Sequence, residues 1–272
     1  MGPHIQKNKE GNPLITTIGS IVRGDQEIFP PYLYDAYRST IKRAPKLPLI
    51  DVPLTLTELT GPGPAISQIT PEDADLTRNA GTGQEAIGQR IIVTGRVFDE
   101  HGDPVPDTLL EIWQANAAGR YVHRNDQWPG PLDPNFLGIG RCLTDSSGAY
   151  RFLTIRPGAY PWKNHPNAWR PAHIHFSVLG PSWVSRLVTQ MYFPDDPLHG
   201  IDPILSSVPG PIRYRLIASY AHDVTEPEWA LGWRFNIVLR GRTATPFEGP
   251  APQLVVTTNP SPESSGSLEA GL

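Results

Sequence analysis

The sequence predicts a mainly β fold: an antiparallel β-sandwich with an irregular N-terminal arm and a few short helices. Three observations lead there. First, 31 prolines and 25 glycines in 272 residues punctuate the chain too often for a helical bundle. Second, from Ile91 onward short apolar runs rich in Val, Ile, Phe and Tyr recur between clusters of Gly, Pro, Asp and Asn. Third, in that half the best helix candidate is a single segment, "IRYRLIASYAH" at 212–222.

In chain order, residues 1–85 read as an arm with no strong period of its own, expected to pack on something else and to supply oligomer contacts. Within it "PPYLYDAYRSTIKRAP" (30–45) predicts a short helix, and "TLTELTGPGPAIS" (55–67) an extended stretch followed by loop. Residues 86–248 read as the sandwich. "RIIVTGRVFD" is a strand, "EHGDPVPD" a turn cluster and "TLLEIWQA" the returning strand. "GAYRFLTI" (148–155), "AHIHFSVLG" (172–180), "RLVTQMYF" (186–193) and "WRFNIVLRG" (233–241) follow as strands. The Pro- and Ser-rich residues 249–272 read as a mostly disordered tail.

Composition narrows the function classes. A net charge of −4, from 23 basic and 27 acidic residues with no basic stripe, argues against a nucleic-acid partner. No stretch approaches the roughly 18–20 apolar residues needed to cross a bilayer, so no membrane span is expected. The start "MGPHIQKNKEGN" lacks the apolar core of a secretory signal, and Gln6 stands where myristoylation wants Ser or Thr. A cytoplasmic location is therefore expected. The lone Cys142 precludes an internal disulfide and reads as a small apolar core residue.

Chemistry enters at "WRPAHIHFSVLG" (169–180). Residues two apart on a strand share a face, so His173 and His175 point to one side while Ile174 and Phe176 point to the other. Alone, a His-x-His pair also fits two histidines satisfied by backbone groups. Tyr121 in "NAAGRYVHR" follows a Gly as the chain leaves a strand, and Tyr160 in "RPGAYPWKN" lies in a Pro/Gly-framed turn just before the histidine strand. Each also fits a packing tyrosine at a sandwich corner. Taken together, two phenols and two imidazoles suit a hard, highly charged cation, because a phenol with a free pKa of about 10 needs a neighbouring cation to ionise at neutral pH. Anionic oxygen donors with imidazole suit iron(III), whereas zinc sites draw on Cys, His and carboxylate.

The segments "RSTIKRAP", "TLTELTGP", "WQANAAGRY", "PLDPNF", "GRCLTDSSGAY", "PGAYPW", "WRPAHIHF", "TQMYF" and "FNIVLRG", spread over residues 38–241, resemble the intradiol ring-cleaving dioxygenases. Within that family the chain most resembles the metal-bearing β chains of the two-chain members. The resemblance implies a non-haem Fe(III) held by Tyr121, Tyr160, His173 and His175, with Tyr160 displaced when a catecholate binds. It implies that Arg170 stabilises charge building on the ring, that Gln190 is a polar pocket residue and Trp162 a pocket wall, and that Tyr37 hydrogen-bonds a ring carboxylate. It further implies O2-dependent cleavage between the two hydroxyl-bearing carbons of a catechol, with protocatechuate giving 3-carboxy-cis,cis-muconate. A related α chain, or self-association into an oligomer, is the implied partner.

Two alternatives stand beside this reading. Within the family the substrate is 4-sulfocatechol, catechol or hydroxyquinol; "LHGIDPILSSVPGPIRYRLIASYAHDVTEPEWALGW" (198–233) matches loosely and Ala159 replaces the more usual proline, both of which bear on pocket shape. Outside it, the turns also fit a non-catalytic transthyretin-like or carboxypeptidase-regulatory-type sandwich. That module accounts for the strands but not for His173, His175, Arg170 and Tyr121 at their family positions.

Overall fold

The apolar runs pair as two sheets that face each other across a shared core. The structure, a computed structural model, describes residues 29–47, 61, 63–180 and 186–248. The readings of residues 1–28, of the extended stretch at 55–60 and of the tail at 249–272 lie outside the described residues.

The strands are β1 (Arg90–Phe98), β2 (Leu109–Gln114), β3 (Ile139–Leu143), β4 (Ala149–Ile155), β5 (Tyr160–Trp162), β6 (Ala168–Arg170), β7 (His173–Leu179), β8 (Leu187–Tyr192), β9 (Ser219–Tyr220), β10 (Leu231–Arg234) and β11 (Ile237–Val238). Two short α-helices, α1 (Ser39–Arg43) and α2 (Pro203–Ser207), and several single 3-10 turns complete the described chain. α1 falls within the expected 30–45 segment. Its last turn carries Lys42 and Arg43, which suit the negative end of a helix.

One sheet has the order β3-β2-β7-β8 and is antiparallel throughout. The other is mixed: β4 runs antiparallel to β1, while β10 and β11 run parallel to it, and β9 pairs with β10. Ile91, Val93 and Val97 of β1 and Phe152 of β4 meet Leu110, Ile112, Ile174, Phe176, Val178 and Met191 from the facing sheet. Phe176 lies at the centre, with ring centroids 5.9 Å from Phe152 and 5.4 Å from Phe235. Burying each such side chain contributes on the order of 1.5–3 kcal/mol toward offsetting the entropy of ordering the chain. Cys142 faces this core, and burial pushes its thiol pKa up to about 12, in keeping with a packing role. Leu76, from the segment before β1, is fully buried in the same core, and Asp75 bridges to Leu153.

Four local expectations are corrected. The strand returning after "EHGDPVPD" does not pair with β1; it crosses to the opposite sheet, where β3 and β7 flank it. Residues 212–222 are not a helix but a 3-10 turn (Gly210–Leu216), the short β9 and a second turn (His222–Val224). Ala218 N–H donates to the Tyr192 carbonyl, so the sheet edge takes the backbone groups a helix would have used. The expected strand at 233–241 is split into β10 and β11. Tyr160 stands on a strand rather than in a turn, since β5 pairs with β6 as a small separate hairpin.

The split has a steric cause. β10 and β11 keep one register along β1, and between them the backbone crowds Gly95, where a Cβ would lie 1.9 Å from the Phe235 carbonyl oxygen. Asn236 Oδ1 accepts from Arg96 N–H at 3.0 Å and mends the interrupted ladder. Gly95→Ala is expected to destabilise the fold by roughly 2–4 kcal/mol. The measurement is the urea midpoint; an unchanged midpoint would mean that the contact is not tight.

Candidate metal centre

Strand parity places the chemistry on the outer face of the four-stranded sheet. On β7, Ile174, Phe176 and Val178 enter the core, which turns His173 and His175 outward. Register then aligns their neighbours: Trp113 on β2 and Gln190 on β8 stand opposite His175, and Tyr192 stands opposite His173. The Trp113 ring stacks on His175 at 4.8 Å and 7°, holding the imidazole plane. His173 is buried under what covers this face, at 1 % exposure.

The hydrogen-bond partners orient both imidazoles. His173 Nδ1 lies 2.7 Å from the Pro171 carbonyl, which can only accept, so Nδ1 carries the proton. His175 Nδ1 lies 2.7 Å from Glu248 Oε2. Burial pushes the Glu248 pKa up, but His175 and Arg170 outweigh it and hold the group below its usual value, an ionised acceptor. Burial, then the charge of Arg170, then His175 hold the His173 pKa well below its ordinary value, which keeps that ring neutral. With both Nδ1 atoms turned to acceptors, both Nε2 atoms face one point and lie 3.2 Å apart.

The phenols complete the cluster. Tyr160 Oη lies 3.3 Å from His173 Nε2. The Tyr121 ring packs edge-on against Tyr160 at 5.4 Å and tilted against His175 at 6.5 Å. Its buried hydroxyl makes no well-formed hydrogen bond. The turn that delivers Tyr121 is built locally. Asn116 Oδ1 accepts from the N–H groups of Ala118 and Arg120, and Gly119 takes φ +73° where a Cβ would lie 2.2 Å from the Ala159 carbonyl oxygen. That close approach lets the segments bearing Tyr121 and Tyr160 abut. Burial raises both phenol pKa values, with Tyr160 adding to the shift at Tyr121 and Arg170 opposing it at both. A cation at the shared point would reverse that preference. Among the described residues no group of three or more His, Cys, Asp and Glu side chains is placed to hold a metal ion. The donors that converge are two imidazoles and two phenols, a set that fits Fe(III) better than zinc.

Arg170 closes the site from the other side. It is paired with Tyr160 across the β5–β6 hairpin, and its Nη1 lies 3.1 Å from His173 Nε2. Its Nη2 donates to Gln190 Oε1 at 2.6 Å, Tyr192 Oη at 2.8 Å and Asp202 Oδ2 at 3.0 Å. An open cleft of about 1200 Å³ leads to the two tyrosines, with Trp113, Trp162, Arg38 and Lys163 among its lining. Tyr37 is buried behind that wall, edge-on to Trp162 at 5.4 Å, while its neighbour Arg38 reaches the cleft. Asn164 ties this part of the arm in place, donating to the Ala36 carbonyl at 2.7 Å and accepting from Arg38 N–H at 2.8 Å.

The structure thus brings Tyr160, His173, His175, Arg170 and Gln190 into one hydrogen-bonded cluster, with Tyr121 against it and Trp162 on the cleft wall. Tyr37 alone among the residues expected there stands one layer back. Sequence reasoning missed Trp113, Tyr192, Asp202 and Glu248. Strand parity could have found Tyr192, two residues after Gln190; nothing local marks Asp202 or Glu248.

Comparison with known proteins identifies the chain's relatives. The Dioxygenase family model matches residues 61–241, and the model for the protocatechuate 3,4-dioxygenase beta subunit N terminal matches residues 22–55. The protocatechuate 3,4-dioxygenase beta chain of Burkholderia cepacia is 58% identical over 219 residues, 80% of this chain and 93% of its own length. The protocatechuate 3,4-dioxygenase alpha chain of the same organism is 29% identical over 165 residues, 60% of this chain and 78% of that one. Hydroxyquinol 1,2-dioxygenase of Rhizobium sp. (strain MTP-10005) is 29% identical over 168 residues, 55% of this chain and 53% of that one. These matches set aside the non-catalytic sandwich. This chain belongs to the intradiol ring-cleavage dioxygenase family.

Proposed function

We propose that this chain is the metal-bearing chain of an intradiol dioxygenase that converts protocatechuate and O2 to 3-carboxy-cis,cis-muconate, with both oxygen atoms entering the product. The observation that carries the reading is the pair of His173 and His175 Nε2 atoms, 3.2 Å apart and flanked by the Tyr160 phenol. Tyr121, Tyr160, His173 and His175 would hold a non-haem Fe(III). When bound, that ion supplies Lewis acidity that favours the catecholate and draws electron density from the ring.

The rest falls to the chain's own groups. Tyr160 Oη, reachable from the cleft, takes a proton from an incoming substrate hydroxyl. Arg170 presents Nη1 toward the centre as a fixed positive charge, so negative charge building on the ring is stabilised without reorganisation. Gln190 Oε1 holds the opposite arm of the same guanidinium. Trp162 forms the wall against which the aromatic ring lies. The Arg38 and Lys163 cations at the cleft favour a catechol with an anionic ring substituent, and Tyr37, edge-on behind Trp162, supports the wall on that side. A sulfonate would meet the same cations, which makes 4-sulfocatechol the second substrate to weigh; unsubstituted catechol and hydroxyquinol lack the charge.

Resemblance to both a beta chain and an alpha chain supports assembly with a related α chain or with further copies, the N-terminal arm (1–85) contributing to the contact and residues 86–248 carrying catalysis. Among the described residues no helix is long and apolar enough to cross a membrane, and a cytoplasmic location is proposed.

Loaded with iron, the purified protein is expected to be red-brown from tyrosinate-to-iron charge transfer. Replacing His173 or His175 by Ala should abolish iron retention in metal analysis, whereas replacing His123 or His165 should not; a colourless protein with normal iron content would defeat the ligand set. Oxygen uptake with protocatechuate, 4-sulfocatechol and catechol measures the substrate preference. Protocatechuate is expected to lead, and a preference for catechol would remove the role given to the cleft cations and Tyr37. In light scattering the mass should exceed the 29.9 kDa of one chain. A lone protomer at equilibrium would contradict the assembly.

A further inference from the structure

We propose that Asp202 is a positioning residue for Arg170, clamping two arms of the guanidinium so that the third alone faces the reacting centre. The inference rests on the reading of Arg170 given above. Asp202 Oδ1 accepts from Arg170 Nε at 3.3 Å and its Oδ2 from Nη2 at 3.0 Å, a two-point grip that fixes the guanidinium plane. Gln190 and Tyr192 also accept from Nη2, and the Tyr192 hydroxyl lies 3.1 Å from Asp202 Oδ2. Every N–H outside Nη1 is thereby engaged. Nη1 remains, and it points at His173 Nε2.

Asp202 is itself held. Its Oδ1 also accepts from Ile204 N–H at 3.0 Å, capping α2, and α2 contributes Leu205 to an apolar cluster with Tyr192, Val208 and Leu216 beneath the site. The position of the cluster is thus passed through α2 to the carboxylate and on to the guanidinium. Stability does not explain the pair. Asp202 is fully buried and Arg170 nearly so, and a buried ion pair is commonly no more stable than apolar residues of the same volume. An ion pair kept there has a use in fixing one orientation.

The test is a double-mutant cycle on the iron-loaded holoenzyme with protocatechuate, using Asp202→Asn and Arg170→Gln. Asn keeps an oxygen for the α2 cap but offers a donor in place of one acceptor facing Arg170. Asp202→Asn is expected to lower kcat on the order of 10–100-fold while KM stays within about threefold. Iron content and the visible charge-transfer band should be unchanged. In the Arg170→Gln background the same substitution should change kcat by less than about twofold, because its route to the centre is gone. If Asp202→Asn does not fold, Tyr192→Phe, which removes one hydroxyl from the clamp, should lower kcat in the same direction by a smaller factor and again only when Arg170 is present. Multiplicative losses in the cycle, or full kcat in Asp202→Asn, would overturn the positioning role while leaving the dioxygenase reading intact. Wild-type protein with bound iron and no turnover of any catechol would overturn the reading itself, and the inference with it.

Discussion

Two imidazole Nε2 atoms turned toward one point, 3.2 Å apart, are the constraint around which this molecule is arranged. Each ring is held in that orientation from behind. Pro171 fixes His173, while Glu248 and the stacked Trp113 fix His175. The three supports come from three parts of the chain: the link between β6 and β7, the segment after β11 and β2. Partners behind an imidazole fix the direction of its free nitrogen, which is what a metal-binding histidine requires.

The outer face of the sheet is polar because the inner face carries the core. Phe176 and its neighbours bind the two sheets without help from β7's other side, so that side is available for buried charge. The charges there are arranged in opposition: Arg170 against Asp202, and Glu248 against His175. In a low-dielectric setting an unpartnered ion is costly, and each of these is partnered within hydrogen-bond distance. The clustered phenols, pushed toward their neutral forms by burial, are the groups whose state depends most on what occupies the shared point.

Much of the fold was legible because strands with one face in a core announce themselves by alternation. β1, β2, β4, β7 and β8 all lie where period and turn residues placed them. What was misread depended on partners distant in sequence. The helix expected at 212–222 lost to a backbone bond from Ala218 to Tyr192, and the strand expected at 233–241 is interrupted where Phe235 crowds Gly95. β3 and the β5–β6 hairpin carry too few alternating residues to be read locally, yet β6 carries Arg170 and β5 carries Tyr160.

By itself the sequence determined the parity of the two histidines. His173 and His175 must share a face because strand side chains alternate, and the long run of matching segments tied Tyr121, Tyr160, Arg170 and Gln190 to them. Tertiary structure alone decided which groups stand behind those donors. Glu248 is 73 residues from His175 and Asp202 is 32 from Arg170, and neither contact has a local signal. It also decided that Arg38, not Tyr37, reaches the cleft, because Asn164 and Trp162 set how the arm lies on the sheet. Alternation is a property of one strand and can be read along it. Contact between strands, turns and arm arises only when the chain closes on itself.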